Sequence, residues 1–144
     1  MQIKLVQSHE DLLRCFPVIH ELRPHLTVER FVEMYEQMQK ESYQIAFVEE
    51  PNHEIWSAVG FRCMNLFYAG KIIYIDDLST LPQARGKGRA SQLLDFVKQF
   101  AIELGCDAIH LDSGHQRHDA HRLYLQKKFK IASHHFILEL PKNT

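Results

Sequence analysis

Residues 76–91 read Asp76-Asp77-Leu78-Ser79-Thr80-Leu81-Pro82-Gln83-Ala84-Arg85-Gly86-Lys87-Gly88-Arg89-Ala90-Ser91, a strand end, a turn, a glycine loop and a helix start in one line. Ile72-Ile73-Tyr74-Ile75 leads in as strand. Beyond the loop, Ala90, Leu93, Leu94, Val97, Ala101 and Leu104 recur at the i, i+3, i+4, i+7 spacing of an amphipathic helix. Gly105 ends it, as the residue type that most readily takes a left-handed helix stop. A helix N-terminus presents N–H groups with no intrahelical acceptor, and its dipole favours an anion there. Gly86 and Gly88 bring no Cβ to obstruct a diphosphate, and Arg85, Lys87 and Arg89 add positive charge. The alternative for the same residues is a plain loop with a solvated cationic face.

Two phosphate-binding patterns do not fit. No glycine stands five residues before Gly86 to complete a P-loop, and Ser91 sits where a dinucleotide fingerprint needs its third small residue. Gln83-Ala84-Arg85-Gly86-Lys87-Gly88 instead reads [Q/R]-x-x-G-x-[G/A], and Arg85 to Ala90 repeats the pattern two residues later. This resembles the coenzyme A pyrophosphate loop of the GNAT N-acetyltransferase superfamily.

Working outward, Ile3-Lys4-Leu5-Val6 predicts a first strand. Ser8 then caps a helix carrying Leu12, Leu13, Phe16, Ile19 and Leu22, which Pro17 should bend or divide. Thr27 caps a second helix with Phe31, Met34, Tyr35 and Met38 on one face. Tyr43–Glu49, Ile55–Phe67 and Lys71–Leu81 are strand-like runs joined by turns at 51–54 and 69–70, which implies an antiparallel meander. The helix after Gly88 crosses over to a parallel strand at Cys106–Asp112. A last helix over about His118–Lys128 and a last strand over Phe129–Leu140 close the chain. The order is β-α-α-β-β-β-α-β-α-β. It predicts an α/β (α+β) fold, one GNAT-like domain over residues 1–144, with a mixed, mostly antiparallel sheet flanked by helices.

Composition sets the bounds. The chain has 144 residues, a net charge of −1 and 45% hydrophobic residues, which suits one soluble domain with no global field for nucleic acid or membrane. Three cysteines (Cys15, Cys63 and Cys106) form no C-x-x-C pair, and no signal peptide or long apolar run is present, so a cytoplasmic location is expected.

The resemblance implies more. Pantetheine of acetyl-CoA would pair with the backbone of Leu78, Ser79 and Thr80, and diphosphate with the loop, Gln83 and the N–H groups from Arg85 through Gly86, Lys87, Gly88, Arg89 and Ala90 to Ser91. Ala120-His121-Arg122-Leu123-Tyr124 resembles the family's A-x-x-[L/F]-Y, which makes Tyr124 the general acid for the departing thiolate. Asp76 and Asp77 resemble the acidic dipeptide of diamine acetyltransferases. As consecutive strand residues they should face opposite ways, so at most one, Asp76 by preference, serves the amine; a solvated strand end is the alternative. Acidic residues there hint at a cationic acceptor.

Two positions depart from the family pattern. Arg117 stands where a pantetheine-contacting Asn is common, and Lys128 where a Gly is common.

Of the histidines, His115, His118 and His121 have helical metal-ligand spacing, but no Cys or carboxylate completes a pattern and no metal is expected. His121 is a candidate for shaping the acceptor pocket. The resemblance implies acetyl transfer from acetyl-CoA to an amine of a small molecule or peptide in a ternary complex, without a cysteine nucleophile, by a homodimer. A non-catalytic acyl-CoA sensor on the same fold is the alternative.

Overall fold

A computed structural model describes residues 1–142. Contacts divide the chain into a unit from Met1 to Leu111 and a second beginning at Asp112.

The first unit is a five-stranded sheet in sequence order. Its strands are β1 (Gln2–Leu5), β2 (Gln44–Glu49), β3 (Ile55–Leu66), β4 (Gly70–Thr80) and β5 (Ala108–Leu111). β1 to β4 pair antiparallel, and β5 runs parallel to β4, as the helical crossover requires. Helices α1 (His9–Leu22) and α2 (Val28–Gln39) precede β2, and α3 (Arg89–Glu103) joins β4 to β5.

The caps follow the side chains available. Ser8 Oγ accepts from Asp11 N at 3.0 Å, and Asp11 Oδ2 accepts from Gln7 N at 3.1 Å, a reciprocal box at the start of α1. Thr27 Oγ1 accepts from Arg30 N at 3.1 Å. α1 passes through Pro17 unbroken. α3 ends with Gly105 at φ 74°, where Gly105 N donates to Ile102 O and Cys106 N to Ala101 O, the paired bonds of a Schellman stop.

One face of the sheet carries α1 and α2 over a core of Leu12, Cys15, Ile19, Phe31, Tyr35 and Phe47. On the other face Phe61 meets Phe100 of α3 edge-on at 5.1 Å between ring centres, and Leu93 and Val97 are fully buried. Burying a side chain of this size contributes about 1.5–3 kcal/mol, so the two cores fix where β4 lies before any functional group is considered.

The second unit holds helix α4 (His118–Gln126). The strand expected over Phe129–Leu140 is not formed: these residues carry no regular structure, and Ile131, Phe136, Ile137, Leu138 and Leu140 are exposed. A strand exists only through ladder bonds to a partner, and no described residue supplies them. Alternating apolar residues are necessary for such a strand and are not sufficient.

Candidate active site

The site begins with an unequal pair of strands. β4 is bonded to β5 from Ile72 to Ile75, opposite Ala108 to Leu111. After the inserted Asp76 it continues from Asp77 to Thr80 with β3 as its ladder partner and no pairing to β5. The backbone of Leu78, Ser79 and Thr80 therefore has an edge available to an extended ligand. Their side chains are used elsewhere. Ser79 Oγ donates to Val18 O at 2.7 Å, and Thr80 Oγ1 accepts from Ser57 Oγ at 3.3 Å.

This open edge runs into the glycine loop. Pro82–Ala84 makes one 3-10 turn, then Gly86 and Gly88 take φ 80° and 76°. A Cβ at either would meet nothing within 4 Å. The glycines are there for the left-handed backbone, and the space beside them is open to a ligand. Gly88 caps α3 and contributes no side-chain hydrogen bond, and the first turn carries no acidic residue. The first α3 N–H groups, at Arg89, Ala90 and Ser91, thus keep their capacity for an anion, and the residues fit a diphosphate.

The three cations of the loop are each engaged. Arg89 grips Glu50 through Nε at 2.8 Å and Nη2 at 2.9 Å. Glu50 is 4% exposed, and those bonds hold its carboxyl below the usual carboxylate range against the opposing effect of burial. Lys87 Nζ lies over the Trp56 ring, 5.0 Å from its centre. Arg85 pairs with exposed Glu21 at 3.2 Å. Gln83 is exposed and lines a shallow cleft of about 380 Å³ with Trp56 and Arg14.

Asp76 and Asp77 lie at a break in register. Gly60 pairs with Asp77 but Phe61 pairs with Ile75, so Asp76 is an inserted residue in β4, a bulge. The insertion overturns the expectation that the two carboxylates face opposite ways. Arg62 binds Asp76 through Nε at 3.1 Å and Nη2 at 2.7 Å, and its guanidinium stacks on the Tyr43 ring. Tyr43 in turn donates its hydroxyl to Asp77 Oδ2 at 2.7 Å. Arg23, at the end of α1, donates from Nε to Asp77 Oδ1 and from Nη2 to the Asp76 carbonyl, both at 3.0 Å. Both carboxylates thus belong to one network on the α1–α2 face. Burial pushes the Asp76 carboxyl above its usual range, with Arg62 opposing. Burial and then the Asp77 charge push the Tyr43 phenol well up.

Sequence reading missed Arg23, Arg62, Tyr43 and Glu50, since each acquires its role from a partner 14 or more positions away. Gly60 did carry a signal, because a glycine inside an apolar strand marks a bulge or a close approach.

In the second unit, Tyr124 lies on α4 and is half-buried. Burial raises its phenol above the usual value while the Arg117 charge opposes. Lys128 takes φ 73°, so it holds the left-handed stop that glycine favours. Lys128 N donates to Leu125 O and Phe129 N to Tyr124 O, and the rings of Tyr124 and Phe129 lie 5.8 Å apart. The helix stop therefore clamps Tyr124. The His121 ring nitrogen bonds Gly114 O at 2.9 Å. Among the described residues no group of three or more His, Cys, Asp and Glu side chains is placed to hold a metal ion.

A sheet opened along one strand, followed by a left-handed glycine loop on a helix N-terminus, defines an acyltransferase of the GNAT type. The chain belongs to the acetyltransferase (GNAT) family, whose model matches residues 6–129 across both units. It is 34% identical over 138 residues to the uncharacterized N-acetyltransferase YhdJ of Bacillus subtilis (strain 168), covering 94% of this chain and 96% of that one. It is 30% identical over 86 residues to the D-amino-acid N-acetyltransferase of Saccharomyces cerevisiae, covering 60% of this chain and 53% of the relative. The fold matches AAC(6')-Iy, solved in complex with the bisubstrate analogue CoA-S-monomethyl-acetylneamine, with a TM-score of 0.83 at 11% identity over 99% of this chain and all (100%) of that one.

Proposed function

We propose that this chain works as one GNAT domain that moves an acetyl group from acetyl-CoA to the amine of a small molecule or peptide. The observation that carries the proposal is the β4 edge from Asp77 to Thr80, unpaired with β5, leading directly into the Gly86–Gly88 loop and the start of α3, which has no side-chain cap.

Acetyl-CoA supplies an activated thioester. Leu78, Ser79 and Thr80 would pair with its pantetheine arm through their backbone, Arg117 would contact that arm from α4, and the N–H groups from Arg85 to Ser91 would take the diphosphate. An amine with pKa near ~10.4 arrives as an ammonium and must lose a proton before it attacks. Asp76, whose carboxyl is raised by burial, receives that proton through water, with Asp77 beside it. The amine lone pair then forms the C–N bond, the nitrogen gives up its second proton to water, the C–S bond breaks, and Tyr124 gives its proton to the thiolate and is reprotonated from solvent. A phenol raised above its usual value stays protonated through the neutral range, so it is ready to donate. Holding two substrates side by side supplies much of the rate, and no enzyme-bound acyl intermediate is required.

The yeast relative is named for acting on a D-amino acid, which favours a small acceptor joining an amine to an acid group. We place the protein in the cytoplasm as a homodimer, with no nucleic acid, membrane or metal required.

Turnover of Tyr124→Phe tests the catalytic reading against that of an acyl-CoA sensor. Loss of CoA release with acetyl-CoA binding retained supports an enzyme. Wild-type protein that binds acetyl-CoA and releases no CoA with any amine supports the sensor.

A further inference from the structure

We infer that Arg23 anchors an acid group carried by the acceptor, so the acceptor is an amine bearing its own carboxylate or similar oxyanion. The inference rests on the reading of the chain as an amine acetyltransferase.

The charge pattern at the bulge carries it. Two carboxylates in sequence suggest a site for a cation, but in the fold each is already matched. Asp76 takes two bonds from Arg62, and Asp77 takes one from Arg23 and one from Tyr43. The side chains of Arg62, Asp76 and Asp77 are 16%, 19% and 12% exposed, whereas that of Arg23 is 42% exposed. Glu41, 66% exposed, meets Arg62 at the far end of the network at 3.4 Å, so at the Asp77 end the group that reaches solvent is the cation Arg23. Arg23 spends Nε and Nη2 inward, on Asp77 and the Asp76 carbonyl, and its Nη1 has no partner among the described residues. A guanidinium held by its inner edge presents the remaining N–H groups in a fixed fork, the geometry that suits a planar or tetrahedral oxyanion.

Placement agrees with this role. The two inward bonds tie Arg23 to the bulge that immediately precedes the open edge of Leu78–Thr80. An acid group on Arg23 is therefore held at the end of the strand edge assigned to the acyl donor. A polyamine would bring positive charge to the same guanidinium and be disfavoured, and a lysine side chain in a peptide has no acid group next to its amine.

The test compares amino acids with the amines that lack their carboxylate, alanine of either hand against ethylamine and phenylalanine against phenethylamine, with 2-aminoethylphosphonate as the tetrahedral arm and spermidine as the cationic one. The acid-bearing acceptor should be favoured at least about tenfold in kcat/KM, mainly through KM, as expected of a charge-assisted bond. Arg23→Gln should lower that ratio about tenfold, and Arg23→Lys should recover part of it. In the wild type, propionate or ethylphosphonate should inhibit competitively against the acceptor and not against acetyl-CoA, a result that needs no variant to fold. Equal use of acid and amine, preference for spermidine, or a ratio untouched by Arg23→Gln overturns this inference and leaves acetyl transfer standing. CoA release with no acceptor tested overturns the inference, and absence of acetyl-CoA binding as well removes the underlying reading with it.

Discussion

The Tyr43 hydroxyl donates to Asp77 Oδ2 at 2.7 Å across the sheet face, and it reaches that oxygen because residue 60 is glycine. A Cβ on Gly60 would coincide with the Tyr43 hydroxyl, so the bulge at Asp76, the glycine paired with Asp77 and the buried phenol form one device. Removing the hydroxyl in Tyr43→Phe leaves Asp77 on Arg23 alone. The expected loss is about 2 kcal/mol, the cost of a hydrogen bond to a charged group. Gly60→Ala should cost more, because the whole ring must move. Urea unfolding of both variants measures the order, and Gly60→Ala within experimental error of wild type would refute it.

Glu50 and Arg89 give a second prediction. Glu50 is almost fully buried and its carboxylate is met bidentately by the first residue of α3. Glu50→Gln should destabilise by about 3 kcal/mol, as for a buried ion pair with one partner removed, and should weaken acetyl-CoA binding by loosening the start of α3. The exposed pair Arg85–Glu21 serves as contrast, since Glu21→Gln should change stability by about 0.5 kcal/mol or less. Melting curves with calorimetric acetyl-CoA titration separate the two effects.

Lys128 gives a prediction of the opposite sign. Its φ of 73° places a Cβ-bearing residue in the left-handed region at the stop of α4. Lys128→Gly should raise stability by about 1 kcal/mol, because the strain removed exceeds the added freedom of the unfolded chain. A drop in the melting midpoint would show that the Lys128 side chain contributes something its backbone position does not.

Acid sensitivity has a named source in Glu49. Hydrogen bonds from Lys4 and then Arg14 lower its pKa from 4.5 to about 2. A carboxylate lowered on folding stabilises fully above its unfolded value, and that contribution is lost as pH falls from 4.5 through about 2. Wild type should therefore melt above Glu49→Gln near neutral pH, with the gap closing across that acid window. A gap independent of pH would contradict the assignment.

These predictions mark where the sequence was legible. The glycine loop, the Ser8 and Thr27 caps and the parallel crossover to β5 all depend on residues near one another in the chain, and they were readable. The shared face of Asp76 and Asp77 was not, because alternation along a strand fails at an inserted residue, and the insertion shows itself only in the pairing of Gly60 and Phe61 with β4. The roles of Arg23 and Arg62 follow from the same fold-level pairing. Phe129–Leu140 went the other way: its alternating apolar residues suit a strand, but a ladder needs a partner and none is described.

The most direct measurement is thermal unfolding with acetyl-CoA, free CoA, ATP and NAD added separately at equal concentration. A ligand that binds only the folded chain, at about 100 times its Kd, stabilises by about 2.7 kcal/mol and should raise the midpoint by several degrees. Acetyl-CoA and CoA should each raise the midpoint, and NAD and ATP should not. No rise with either CoA species would contradict the assignment of the open β4 edge and the Gly86–Gly88 loop as an acyl-CoA site.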